Sequence, residues 1–360
     1  MAADGRKPQR GLGWRVARNV GAFGIGVFLV WFMVRASEKV FYELNKANLE
    51  RTSFEGGYWD LFSYDEVLGS RPASNVEKRV AKSVDGQLIY GVVYRTDAYG
   101  RRITPQDVGA DKADRFIAFF GCSYTFGEGL AEDETLPYHV ASLAPDWRVY
   151  NYGCPGYGPQ QMLARLETED LAEQIEEPSG ILVYVFASFH VRRAIGSMRV
   201  ASSWGRAFPY YCLDGEGGLV RKGTFTSGRP RLATWYGRLG KSDTLWYWDF
   251  DVPLFLKDGH LALTSRIIAA SRDRFQKTFP NSRFCVLLYP GKPNAELSGK
   301  RIIPFLEQAG LEFLDFTALI DMRQPAFTIK EDGHPTGAAN RRVAERLAAE
   351  LRLGAIEGGE

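Results

Sequence analysis

Three short segments of the sequence carry residue types that together can make and break an acyl bond. The first is Gly121-Cys122-Ser123-Tyr124-Thr125-Phe126-Gly127-Glu128-Gly129, directly after the apolar run Phe116–Phe120. A serine just past a strand end, behind a glycine that tolerates a tight turn, is presented at the carboxyl edge of a sheet with its backbone N–H at the mouth of the next helix. A nucleophile fits there, although Gly-x-Ser taken alone more often serves as an ordinary helix N-cap. Thr125 stands where a G-x-S-x-G elbow needs its second glycine, which argues against the α/β-hydrolase arrangement.

The second segment is Asn151-Tyr152-Gly153-Cys154-Pro155-Gly156-Tyr157-Gly158. Its glycines permit close backbone approach, so the Gly153 N–H could join that of Ser123 in holding an oxyanion; by itself the segment is more simply a strand-to-helix turn that needs positive φ. The third is Glu331-Asp332-Gly333-His334-Pro335-Thr336-Gly337. A carboxylate and a histidine on one loop can lie so that the acid accepts the imidazole Nδ1–H and Nε2 faces a serine. The spacing admits Asp332 or Glu331 as that acid, and in isolation the segment is equally a solvated loop before a helix. His139 and His260 lack such neighbours and are expected to be surface or structural residues.

These segments need a scaffold, and the periodicity predicts one. Phe116–Phe120, Val149–Tyr152, Gly180–Phe186, Phe284–Tyr289 and Leu311–Phe316 are apolar runs of strand length. Helical patterns at Gln160–Gln174, Leu263–Lys277, Leu297–Ala309 and Ala338–Leu351 lie between or after them. Alternation of this kind predicts a mostly parallel sheet with helices on both faces, whose sites form where loops leave the carboxyl ends of strands. Residues 195–262, rich in Gly, Trp and Tyr, interrupt the alternation as an insertion. Residues 55–104 alternate in short strand-like stretches and are expected to do structural work only.

Ahead of all this runs the uncharged stretch Asn19 to Val34, preceded by Arg6, Lys7, Arg10, Arg15 and Arg18. It predicts a signal anchor spanning about 24 Å, somewhat short of a ~30 Å hydrocarbon core unless the flanking arginines snorkel. That shortness leaves a cleaved signal peptide open. The cationic side is expected to stay in the cytoplasm and the remainder to cross the membrane. Residues 37–50 continue the helix as an amphipathic stalk. The expected divisions are therefore a basic tail at 1–18, an anchor at 19–35, a stalk and β-rich extension at 36–110, and a catalytic domain at 111–353.

Lys and Arg total 45 against 43 Asp and Glu, with no basic patch interleaved with aromatics, so nucleic acid is not an expected partner. The four cysteines form no CxxC pair and none stands at zinc-ligand spacing, so neither a metal nor another cofactor is expected. Cys122 and Cys154 end neighbouring predicted strands and could form a disulfide in an oxidising compartment.

The order of the three segments, each at a strand–helix junction of one sheet, resembles the SGNH/GDSL hydrolase superfamily. GCSYTFGEGL is similar to its first block, NYGCPGYG to its second and DGHP to its last, which together frame residues 115–352 and leave 1–110 uncovered. The resemblance implies a flavodoxin-like three-layer αβα fold, Ser123 as nucleophile, the Ser123 and Gly153 amides in the oxyanion hole, and Asp332 with His334 completing a triad. Two departures stand out. Cys122 replaces the usual acidic residue, and Phe189 falls where the family's third block has an oxyanion-binding Asn; His190 could supply a substitute donor. The family's acid usually stands three residues before the histidine, which would be Glu331. The expected activity is carboxylic-ester hydrolysis through an acyl-serine outside the cytoplasm, on a small-molecule or glycan ester. Two alternatives remain: O-acetyl transfer to an envelope or exported polysaccharide, and a catalytically inactive domain that binds a glycan or partner.

Overall fold

A computed structural model describes residues 12–105, 113–291 and 299–353. The cations Arg6, Lys7 and Arg10, the expected boundary at 110/111 and the predicted start of a helix at Leu297 lie outside the described residues. In chain order the elements are α1 (Leu12–Glu50), β1 (Thr52–Glu55), β2 (Phe62–Asp65), β3 (Gly69–Pro72), β4 (Glu77–Val84) and β5 (Gln87–Arg95). Then follow β6 (Arg115–Gly121), α2 (Ser123–Phe126), α3 (Leu136–Leu143), β7 (Trp147–Gly153), α4 (Pro159–Thr168), β8 (Ser179–Phe186) and α5 (His190–Ile195). The insertion holds α6 (Met198–Ser202), β9 (Pro209–Leu213), β10 (Leu219–Thr224), α7 (Pro230–Leu239) and α8 (Asp243–Tyr247). The chain closes with α9 (Asp258–Thr278), β11 (Arg283–Leu288), α10 (Ile303–Gln308), β12 (Glu312–Asp315) and α11 (Gly337–Leu351).

The molecule divides into two compact units, one holding the chain up to Glu50 with Lys241–Phe250, the other Arg51–Gly240 with Asp251 onward. In the first, α1 is one unbroken helix that is long and apolar enough to cross a membrane. Its side chains from Val20 to Val34 are exposed and apolar all round. Beyond them the amphipathic stretch has a partner in α8. Glu38 accepts from Ser242 Oγ at 2.6 Å and from the Asp243 N–H at 2.8 Å, Asn45 Nδ2 donates to the Asp243 carbonyl at 2.9 Å, and the Phe41 ring lies 4.6 Å from that of Tyr247.

The second unit is built on a five-stranded parallel sheet of order β12-β11-β8-β6-β7. Each predicted apolar run became one of these strands. Central strands are covered on both faces, so they are apolar throughout: Ile181, Val183 and Val185 of β8 join Val140 of α3 and Val343 and Leu347 of α11, while Leu182, Tyr184 and Phe186 join Met162 of α4 and Ile268 and Phe275 of α9. The chain goes outward from β6 to β7 and then crosses back over β6 to β8. The carboxyl end of β6 is therefore the switch point where two connections diverge, and such a crevice receives ligands in open α/β sheets.

Residues 51–105 form the antiparallel sheet β1-β4-β5 and the pair β2-β3. Their apolar core of Tyr58, Leu61, Val80, Tyr90 and Tyr94 includes Phe126 of α2. Arg102 is buried and donates to the carbonyls of Phe126 (2.8 Å), Gly127 (2.5 Å) and Leu130 (2.6 Å), and the Gly129 N–H donates to Tyr94 Oη at 2.8 Å. This extension thus does more than the support expected of it, because it closes over the loop that follows Ser123. Arg102→Met would take the side-chain donor from the Phe126 and Leu130 carbonyls and leave that of Gly127 with the Leu130 N–H alone, an expected loss of about 2–4 kcal/mol. The check is a lower urea midpoint at unchanged denaturant slope for the detergent-solubilised protein.

Candidate active site

Ser123 leaves β6 at that switch point and is only 5% exposed. The helix it begins is a single turn: Gly127, at φ 83°, ends it and returns its N–H to the Ser123 carbonyl at 2.8 Å. Asn151 brackets this turn to β7. Its Nδ2 donates to the Thr125 carbonyl at 3.0 Å, and its Oδ1 accepts from the Gly153 N–H at 2.9 Å. A Cβ at Gly153 would lie 2.4 Å from the Phe126 nitrogen, so only glycine lets the two turns touch.

The bond to Asn151 corrects the expectation for Gly153, whose amide is occupied within the protein instead of facing an oxyanion. In the same turn Cys154 N–H goes to the Gly121 carbonyl, Tyr157 N–H to the Cys154 carbonyl and Gly158 N–H to Gln161 Oε1. Pro155 has no N–H. Gly156, at φ 86°, is the amide of this turn that takes part in none of these bonds. Cys122 and Cys154 are both buried free thiols, so the disulfide considered from the sequence is not formed, and burial pushes the Cys154 thiol up from its ordinary value.

Asp332 and His334 meet on the loop before α11. Asp332 Oδ1 lies 2.5 Å from His334 Nδ1 and also accepts the His334 backbone N–H at 3.2 Å. Glu331, the other candidate acid, is exposed with φ 59°, and the carboxylate that meets the imidazole is that of Asp332. The Asp332 side chain is 1% exposed and is joined from outside its loop by Lys82 Nζ of β4, 2.6 Å from Oδ2. Burial pushes its carboxyl up, but the hydrogen bond and charge of His334, then those of Lys82, outweigh burial and hold it at about 2.

His334 Nε2 lies 3.5 Å from Glu128 Oε2, whose other oxygen accepts from Tyr58 Oη at 2.9 Å. Burial lowers the His334 pKa, yet the Asp332 hydrogen bond and the charges of Glu128 and Asp332 raise it overall, with Lys82 opposing. Tyr124 links the histidine to the serine's turn, its ring centroid 5.8 Å from that of His334. Among the described residues no hydrogen bond joins Ser123 to His334. The structure therefore brings Asp332 and His334 together, sets them beside the serine's neighbour, and turns Nε2 to a carboxylate.

At the third block Phe189 caps α5 with its ring 5.5 Å from Tyr124, an aromatic wall in the position expected for an amide donor. His190 is fully buried. Its Nδ1 accepts from the Ala187 N–H at 3.3 Å and lies 2.9 Å from Tyr184 Oη, and its ring packs among Phe186, Phe189 and Tyr184. Burial, then the Arg193 charge, holds it well below the ordinary histidine range, so it is neutral. With no exposed edge, it could meet an oxyanion only after a rearrangement.

Residues not singled out from the sequence complete the site. Glu128 lay within the first quoted segment but carried no signal of its own. Lys82 and Tyr58 are 250 and 70 residues from their partners, beyond the reach of any local pattern.

The chain is structurally similar to G-D-S-L lipolytic proteins and carbohydrate esterases. A member of the lipolytic protein G-D-S-L family from Veillonella parvula DSM 2008 is 11% identical over 66% of this chain and 97% of its own, with a TM-score of 0.39. The acetyl xylan esterase Est2A from Butyrivibrio proteoclasticus is 13% identical over 78% and 72%, with a TM-score of 0.36. The family 3 carbohydrate esterase of Clostridium thermocellum is 12% identical over 66% and 96%, at 0.37. No protein-family model and no curated protein matches the sequence. Likenesses this distant decide nothing about activity, which has to be argued from the site itself.

If His334 accepts a proton in the reaction, it must be neutral, and its raised pKa keeps it protonated to higher pH than an ordinary histidine. Activity should then fall with acid through a limb lying above about pH 6.5. Glu128→Gln removes a group that raises this pKa and should move the limb down, whereas Lys82→Met removes one that lowers it and should move the limb up. Profiles of kcat/KM against pH for the three proteins give the test; coincident limbs would show that His334 is not the titrating base.

Proposed function

We propose that this protein is a serine esterase, with Ser123 as nucleophile, His334 as base and Asp332 as the acid that orients it. The observation that carries this reading is the Asp332–His334 pair, 2.5 Å apart beside the turn that begins with Ser123. In the reaction Ser123 Oγ attacks the ester carbonyl and passes its proton to His334 Nε2. The negative oxygen of the tetrahedral intermediate accepts from the Ser123 N–H and from the Gly156 N–H, the unengaged amide of the second segment. Collapse expels the alcohol, which takes the proton from His334 and leaves an acyl-serine. Water, activated by the same imidazole, then attacks the acyl carbon and releases the acid.

For Nε2 to serve Ser123 it has to turn away from Glu128. The 3.5 Å separation is long for a hydrogen bond, and Tyr58 remains to hold the carboxylate. Transfer of the acyl group to a sugar hydroxyl in place of water uses the same residues and differs only in the acceptor. The contact with Glu128 and the aromatic wall at Phe189 favour the rival reading, an inactive binding domain. Labelling of the detergent-solubilised protein by a fluorophosphonate separates the two, since only an activated serine reacts and Ser123→Ala abolishes the reaction. Turnover of a short-chain aryl ester should be lost in Ser123→Ala and in His334→Ala alike, the double variant being little worse than either. Activity that survives in Ser123→Ala would refute the assignment.

The apolar part of α1 supports a membrane anchor, and the cations ahead of it in the sequence would keep the N-terminus in the cytoplasm with the esterase on the other side. Protease added to spheroplasts should then digest the chain beyond residue 50. Protection of that region until lysis would reverse the topology.

A further inference from the structure

We propose that Trp204, Arg193 and Phe189 form a subsite for the sugar ring of an acylated glycan, next to the acyl-transfer centre. This inference deepens the serine-esterase reading and rests on it for the position of the scissile bond.

Trp204 comes from the insertion and is 52% exposed, yet it is held in place. Its ring packs so closely on Gly156 that a Cβ there would lie 3.1 Å from Cζ3, and Phe208 meets it edge-on at 5.3 Å. A side chain at Gly156 would be strained by the positive φ and would press on the indole, and the Gly156 N–H is a backbone donor directly beside an exposed aromatic face. The Arg193 guanidinium lies 5.4 Å from the Trp204 ring centroid and 4.4 Å from that of Phe189, and Nη1 donates to the Tyr157 carbonyl at 2.8 Å. Phe189 meets Tyr124, and Tyr124 meets His334. One continuous row of rings therefore leads from the base to the exposed indole, broken by a single cation.

The chemistry of that row selects its occupant. A sugar ring offers a C–H face that lies on an indole, and an equatorial rim of hydroxyls that accept from a guanidinium. A long acyl chain would need a dry apolar trough, and a guanidinium set between two rings, partly open to water, does not make one. Trp204 is also where an insertion would act if its task were to recognise the alcohol portion of the ester, because it reaches the Gly156 turn without displacing any triad residue.

The test uses the full-length solubilised protein, a panel of O-acetylated cello-, xylo- and uronate oligosaccharides, and 4-nitrophenyl acetate and decanoate. For the best saccharide ester, the ratio of its kcat/KM to that of 4-nitrophenyl acetate should fall about tenfold in Trp204→Ala, through KM, and be largely restored in Trp204→Phe. A parallel fall on every ester, or a fall confined to the decanoate, would overturn the proposal in favour of general packing or of an acyl-chain trough. Binding is read separately in the Ser123→Ala background, where the deacetylated oligosaccharide should perturb tryptophan fluorescence and the further change Trp204→Ala should remove the effect. If no member of the panel binds or is preferred, the subsite is wrong even with an active esterase. If the saccharide binds but no ester is turned over, the esterase reading fails and the subsite stands.

Discussion

The site is organised around one buried carboxylate. Asp332 has almost no solvent to share its charge, and an uncompensated carboxylate in such a place costs several kcal/mol. Its three partners come from two directions: the imidazole and backbone N–H of His334 from its own loop, and Lys82 from β4, far earlier in the chain. Satisfying Asp332 thus ties the loop before α11 to the antiparallel sheet of residues 51–105. The same sheet shares its core with Phe126, while Arg102 gathers the carbonyls of Phe126, Gly127 and Leu130 at the end of α2 and just beyond it. The serine's turn and the histidine's loop are consequently registered against a common third body, in addition to the central sheet from which both emerge.

That arrangement also explains the resting position of His334. An imidazole between two carboxylates favours its charged form, and a charged ring prefers a carboxylate to a neutral serine hydroxyl at Nε2. The two contacts are unequal. Asp332 is close and buried, whereas Glu128 stands farther off and has Tyr58 as a second partner. Loss of the ring proton weakens the Glu128 contact while leaving the Nδ1–H bonded to Asp332, so the ring can change what Nε2 faces while keeping its anchor. Lys82 tempers the pair from the other side by taking part of the Asp332 charge, and the extension in that way helps set how readily the His334 ring is freed from Glu128.

The central sheet was legible because strands buried on both faces must be apolar, and beyond their first residues β6, β8 and β11 are. The contact between Asp332 and His334 was legible because it depends on residues two positions apart, and the place of Ser123 because it follows directly on β6. Gly153 was misjudged for a reason of another kind: whether a turn amide is available depends on where the Asn151 side chain points, and Asn151 Oδ1 takes the Gly153 N–H, leaving Gly156. His190 illustrates the same limit. Its position past the end of β8 allowed a ring turned toward the site, but Tyr184 Oη and the Ala187 N–H draw Nδ1 into the core. Lys82 sits in an alternating strand with nothing local to distinguish it from the lysines that face water, and its partner is set only by tertiary packing.

Phe189 and His190 together bear on how an oxyanion would be held. A phenyl ring stands where an amide donor was expected, and the adjacent imidazole is sealed in the core as a neutral ring. Stabilisation of a developing charge then falls to backbone N–H groups, whose direction is set by the turns and not by rotamers. Backbone donors lose their aim when a turn relaxes, so the structure should hold those turns tightly. It does so with Asn151 between the two turns, with Gly153 pressed against the Phe126 nitrogen, and with Arg102 on the far side of α2. The aromatic wall that removed a side-chain donor also carries the stacked Arg193, which reaches the Tyr157 carbonyl one residue beyond Gly156. With a ring where an amide was expected, position 189 contributes rigidity, through Arg193, to the turn that would supply the remaining donor.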